Sequence, residues 1–426
     1  MTPEWCAKWC AGDHNHRTWE SGLADKPERC KIERREECVA EPEIPRRQHY
    51  VPRMILRGFS PDGRRISLRV LTSGKFVHNA PLGEQCYENY FYGTDGGMEN
   101  AFGEMEGAFK AAIGDLSPGH LETVTVEQLH LICRFVHYQK FRTAGAADES
   151  AEFIDGLAKR IMAKDSRVSE DMLTKVKIGP EKPQRETLYH AAEAEPLLLD
   201  LAVKFLVSDK NLGFVLSDNP VAGYNQWMEH HPLFSHVGGN DGIALRGLQW
   251  FLPLSPNVCA AVFDPGAYEY GSPRRRTCGV AVRDIRLLNM LQALRARECI
   301  YFDPRFTAEE EIMQLCRDRD KHATPSVSFA ESEIRELPDG TRRMVLLAEM
   351  PSARLGTQLG CVRVKKDAKL FHRGGMPFPI RSPELVKLME RWSNTLEKES
   401  KSKQTAEARE NGDAVGSSDS SEPTGT

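Results

Sequence analysis

From Arg65 to Val70, apolar and polar residues alternate. Ile66, Leu68 and Val70 fall on one side and Ser67 and Arg69 on the other, the period of a half-buried strand. The turn Thr72-Ser73-Gly74-Lys75 sends the chain back through Phe76-Val77-His78, a hairpin. The period then lengthens. Met98, Phe102, Met105, Phe109 and Ile113 recur at three and four, the face of an amphipathic helix. Thr125 and Gln128 have capping-box spacing and open a second helix, with Leu129, Ile132 and Val136 as its stripe. The pattern predicts a third helix over about 151–163, through Phe153, Ile154, Leu157 and Ile161. It predicts a fourth over about 185–207, bent or broken near Pro196.

After that the apolar runs shorten. Gly213 to Leu216 reads as a buried strand closed by Ser217-Asp218-Asn219-Pro220, whose side chains favour turns. Trp250 to Leu254, Ser255-Pro256-Asn257 and Val258 to Phe263 read as a strand pair. A further helix is expected over about 281–298. A hairpin is expected over 326–349 around Pro338-Asp339-Gly340, and a last helix opens at Ser382-Pro383-Glu384. Strands and helices come in blocks and do not alternate. That predicts an α+β fold with a helix-rich middle and short, mainly antiparallel strands and hairpins.

Composition sets the outer limits. Of 426 residues, 40% are hydrophobic and 28% charged, ordinary for a globular chain. The greasiest segment, Leu197 to Val207, is broken by Asp200 and Lys204, far short of a membrane helix. Residues 1–44 read as a poorly ordered extension, 45–305 as the core domain, 306–397 as a hairpin-and-helix region, and 398–426 as a disordered tail. The eleven cysteines are scattered and no C-x-x-C occurs. No basic segment followed by an apolar one opens the chain, so the expectation is a reducing cytoplasmic compartment. Cys6, Cys10 and His14 are spaced at four on any helix, with His16 close by. The spacing matches no zinc pattern and reads more simply as chance. No metal site is assigned, and no cofactor follows from the residues.

Net charge is −4, from 57 basic and 61 acidic residues, and says little. Locally, residues 46–69 hold Arg46, Arg47, Arg53, Arg57, Arg64, Arg65 and Arg69 against Asp62. Such a stretch attracts phosphate, which would make a nucleotide or nucleic acid the partner; a plain solvated face balanced by the acidic leader is the simpler explanation.

Candidate chemistry comes from hydrophilic residues where the stripes call for apolar ones. The second helix predicts that Gln139 points inward, with Arg142 beyond it on the same side. Glu106 lies beside the stripe of the first helix, Asn289 on that of the late helix, and Asp218 and Asn219 at a strand end. His49 heads the first packed segment and is the side chain suited to proton transfer near neutrality.

Gln48-His49-Tyr50-Val51-Pro52 followed by Leu56-Arg57-Gly58-Phe59-Ser60 resembles the opening of the domain of unknown function 4238 family. Glu106, Gln139 with Arg142, Ser217 to Pro220, Pro253 to Pro256, and Leu288-Asn289 before Ile300-Tyr301 fit its later blocks in order, over about 46–302. The resemblance implies a domain extent and no activity. The residues support two functional readings. In one, the chain is a phosphodiester- or nucleotide-processing hydrolase. His49 is then the acid or base, Glu106, Gln139, Arg142 and Asp218 complete the catalytic set, and Arg53, Arg57, Asn219 and Asn289 bind. Glu106 and Asp218 would orient the histidine or hold a divalent ion. In the other, the chain is a non-catalytic interaction module whose polar network is structural. The first requires His49, Gln139, Arg142 and Asp218 to meet at one pocket.

Overall fold

The computed structural model describes residues 44–396 and 398, apart from 210–211, 235–239, 323–327, 332–334, 337–341, 344–345, 350–352, 366–369 and 374–375. The leader bearing Cys6, Cys10, His14 and His16, and the tail beyond 398, lie outside the described residues. So do turn residues 338–340 of the expected hairpin.

The chain enters as strand β1 (Arg47–His49), helix α1 (Arg53–Arg57) and the hairpin β2 (Arg65–Val70) and β3 (Phe76–Pro81). Strand β4 (Tyr87–Asn89) returns antiparallel to β1, setting His49 opposite Tyr87. The helical middle comprises α2 (Gly97–Ile113), α3 (Pro118–Glu122), α4 (Val126–Phe141), α5 (Ala144–Met162), α6 (Glu170–Lys175) and α7 (Pro183–Ala194). Next come β5 (Ala202–Val207), β6 (Leu216–Ser217), β7 (Ala222–Tyr224), α8 (Gln226–His230), β8 (Gln249–Ser255) and β9 (Val258–Phe263). Beyond them lie β10 (Tyr268–Tyr270), β11 (Thr277–Gly279), α9 (Val282–Arg295), β12 (Cys299–Phe302) and α10 (Glu309–Arg319).

The strands gather chiefly into two sheets. One has the order β11-β5-β9-β8-β7 and is antiparallel except where β11 joins β5. The other is antiparallel, ordered β3-β2-β12-β6. Ser328–Glu331 pairs with Leu346–Glu349 as the expected hairpin requires, and residues 383–396 form the last helix, capped by Ser382 Oγ on the Leu385 amide. The fold is α+β. Among the described residues no helix is long and apolar enough to cross a membrane.

Local signals explain most of these elements. Thr125 and Gln128 make both bonds of the capping box and fix where α4 begins. Helices α2 and α4 meet through Phe109 and Phe135, whose rings stack 3.7 Å apart. Two expectations are corrected. The predicted helix over 185–207 ends at Ala194, and residues 202–207 form β5, an inner strand of the five-stranded sheet. Lys204 gives that segment its helical look. Its stem is buried in the strand and its ammonium group donates to the carbonyls of Ser272 and Arg275, which makes a buried lysine tolerable. The helix predicted over 151–163 starts earlier, at Ala144, with Thr143 as its cap. Its buried first turn is made of Ala144, Ala146 and Ala147, too small to register as a stripe. Phe153, Ile154 and Leu157 are only half-buried and Ile161 is exposed.

Candidate functional site

The segment around His49 is held from both sides. Gln48 is fully buried; its side chain accepts from the Tyr92 amide at 2.6 Å and donates to the Gly93 carbonyl at 2.9 Å. On the other side, the Tyr50 amide donates to the Cys86 carbonyl, and the Gln139 amide donates to the Tyr50 carbonyl at 2.9 Å. Two buried amides thus fix the backbone on either side of the imidazole. Glycine fixes the end of the next helix. A Cβ at Gly58, just after α1, would lie 2.1 Å from the Leu254 carbonyl oxygen, so only glycine lets α1 dock on the β8 strand.

The His49 side chain is left over from this scheme. It lines a cleft of about 540 Å³ between β1, α1, Gly83 and one face of α2. Arg47, Arg53, Arg57 and Lys110 line it, as do Glu99 and Glu106. Arg47 is paired with Glu84. Among the described residues, Arg53 and Lys110 have no ion-pair partner. His49 Nε2 is buried at the cleft wall and finds no hydrogen-bond partner among the described residues. Burial lowers the imidazole below its ordinary value and Arg53 lowers it further, opposed by a backbone hydrogen bond at Gly83 and by the Glu106 carboxylate. The environment thus favours the neutral ring.

Behind the cleft stands Arg142, the C-cap residue directly after α4. Its side chain is only 2% exposed, stacks over Phe102 and donates to Glu106 at 2.7 Å. Its Nε has no hydrogen-bond partner among the described residues. A buried guanidinium with one carboxylate partner polarises that carboxylate and adds positive potential to the cleft floor. Glu99, two turns before Glu106 on α2, is a site residue that the hydrophobic pattern does not single out. Burial pushes its carboxyl up, against the pull of Arg142. The available signal is its spacing of seven from Glu106, which keeps both on one helix face.

The remaining candidates are placed elsewhere. Asp218 accepts the amides of Arg297, Glu298 and Cys299 at 2.8, 2.6 and 3.1 Å, and so fixes the bend between α9 and β12. Burial pushes its carboxyl up in spite of those three donors. Asn219 accepts from Thr143 Oγ1 at 2.8 Å, binding the turn to the cap of α5. Asn289 accepts from the Val215 amide and donates to the Gly213 carbonyl. None of these three lines the cleft, and Gln139 reaches it only through the Tyr50 backbone. The expected meeting of His49, Gln139, Arg142 and Asp218 at one pocket is thus corrected: His49, Arg53, Arg57 and Glu106 share the cleft, with Arg142 behind. Asp218 is also not placed to share an ion with Glu106, because backbone amides occupy it. Among the described residues, no three His, Cys, Asp or Glu side chains form a group that could hold a metal ion.

Residues 47–306 match the model of a protein family of unknown function, DUF4238, and the chain belongs to that family. No curated protein and no solved structure matches it. The blocks that carry the resemblance touch one another. Gly58 abuts Leu254, Glu106 pairs with Arg142, Gln139 holds Tyr50, and Asn289 holds the strand before Ser217.

Proposed function

We propose that the His49 cleft binds a phosphate ester and that His49 moves the proton in hydrolysis of a nucleotide or phosphodiester bond. The observation that carries this reading is His49 Nε2: it belongs to a side chain lining a cation-rich cleft, and among the described residues it has no hydrogen-bond partner. A neutral imidazole accepts a proton from water or a substrate hydroxyl. Arg53, Arg57 and the buried Arg142 offset phosphate charge, and Glu106, held by Arg142, faces the histidine electrostatically. The basic 46–69 segment is the surface toward the nucleotide or nucleic acid. The free thiols fit a cytoplasmic setting, where a reducing pool keeps most cysteines unpaired.

The competing reading, a non-catalytic module with a structural polar network, is favoured by one set of observations. Asp218, Asn219 and Asn289 spend their side chains on backbone and on Thr143. The two readings separate in a screen of nucleotides, RNA and DNA with and without Mg²⁺, Mn²⁺ and Zn²⁺. Turnover by the wild type that drops about 10²- to 10⁴-fold in His49→Ala is expected. Turnover untouched by that change removes His49 from the chemistry.

A further inference from the structure

Two cysteines that do not line the cleft lie side by side. Cys278 is buried in β11 at the edge of the five-stranded sheet, and Cys361 is half-buried just before the strand Val362–Val364, which pairs with β10. Cys278 Sγ is 3.9 Å from the Cys361 carbonyl oxygen, which sets the two cysteines side by side. Both segments are held in place. Asp284, in the first turn of α9, accepts the amides of Gly360 and Cys361 at 2.7 and 3.0 Å. Beside the pair, Lys204 supplies the nearby positive charge from β5.

We propose that Cys278 and Cys361 form a reversible, hydroperoxide-reactive dithiol site. The Cys278 thiolate attacks the O–O bond of hydrogen peroxide; the bond breaks, leaving a sulfenic acid on Cys278 and releasing hydroxide, which becomes water on taking up a proton. Cys361 sulfur then displaces the sulfenic hydroxyl, which leaves as water with the Cys361 proton. Two thiols and one peroxide give one disulfide and two waters; the two sulfurs lose two electrons and the peroxide oxygens gain them.

The surroundings assign the roles. Hydrogen bonding from the Cys361 thiol holds Cys278 down to about 7 against its burial, with Lys204 helping; Cys361, the donor, is pushed up. Cys278 is therefore the attacking sulfur and Cys361 the resolving one. The two cysteines are 83 positions apart, and Cys278 lies within the family region while Cys361 lies beyond it. The bond would staple this later segment to the family core and close a long loop, which stabilises a fold chiefly by restricting its unfolded chain.

The test treats the full chain with one to two equivalents of hydrogen peroxide and maps its peptides without reduction. The expected result is a linked 278–361 peptide, two mass units below the sum of its parts and lost with dithiothreitol. The melting temperature should rise by about 5 °C on oxidation and return on reduction. Cys361→Ser should abolish both, whereas Cys316→Ser should abolish neither. Absence of the linked peptide in the wild type overturns the proposal, as does Cys278 running on to sulfinic acid with Cys361 untouched. The wild-type map decides the matter even if a variant fails to fold.

Discussion

The two ends of the polar set behave differently. Around Ser217 to Pro220, the hydrophilic side chains on apolar faces are consumed inside the protein, chiefly by backbone: Asp218 by three amides, Asn219 by the Thr143 hydroxyl, Asn289 by an amide and a carbonyl, Gln292 by the Ser217 amide and hydroxyl and the Pro220 carbonyl. Around His49 the backbone is satisfied by Gln48 and Gln139, while His49 Nε2 and Arg142 Nε find no partner among the described residues. Burial of a polar group therefore does not mark function. Hydrogen-bonding capacity that the protein itself leaves open is the better marker.

The sharpest contrast is in stability. Asp218→Ala strips three part-buried backbone amides of their acceptor and should cost about 3 kcal/mol in urea unfolding. Asn289→Ala removes two bonds and should cost about 2 kcal/mol by the same measurement. Losses under about 0.5 kcal/mol at both positions would erase the distinction between anchors and cleft.

A smaller effect separates two carboxylates with similar duties. Glu122, on α3, accepts from the Thr277 hydroxyl, the Arg276 and Thr277 amides and Arg275, and so holds the start of β11. Burial alone would raise it; those hydrogen bonds overcome burial and hold it at about 2. A depressed carboxyl stabilises the fold fully above its unfolded value near 4.5 and loses that contribution as pH falls from there toward 2. Glu122→Gln should flatten part of the acid limb of the stability–pH curve between those values. The more deeply buried Asp218 is shifted upward, so Asp218→Asn should leave that limb in place.

Part of this is legible in the sequence and part is hidden, for physical reasons. The capping box at Thr125 sets the phase of α4, and that phase places Gln139 and Arg142 inward. Both are buried. Periodicity reports which way a residue points, not what it meets, so it groups Asp218 and Asn289 with His49 although their partners are backbone atoms brought in by the fold. The segment 202–207 reads as helix because one lysine sits where a helix would tolerate it; its carbonyl partners lie some seventy positions away. Glu99 escapes notice because a charged residue in a helix's first turns is ordinary. Its burial, beside Arg142 and Glu106, is what makes it unusual.

His49 is held in place and yet left free to work, and everything proposed for the cleft depends on that. The most direct test measures, on the same His49→Asn preparation, both unfolding free energy and turnover of whichever phosphate ester the wild type hydrolyses. The expected result is a stability change under about 1 kcal/mol alongside at least a hundredfold loss of turnover. A variant that turns over normally, or one whose stability falls as far as that of Asp218→Ala, would contradict it.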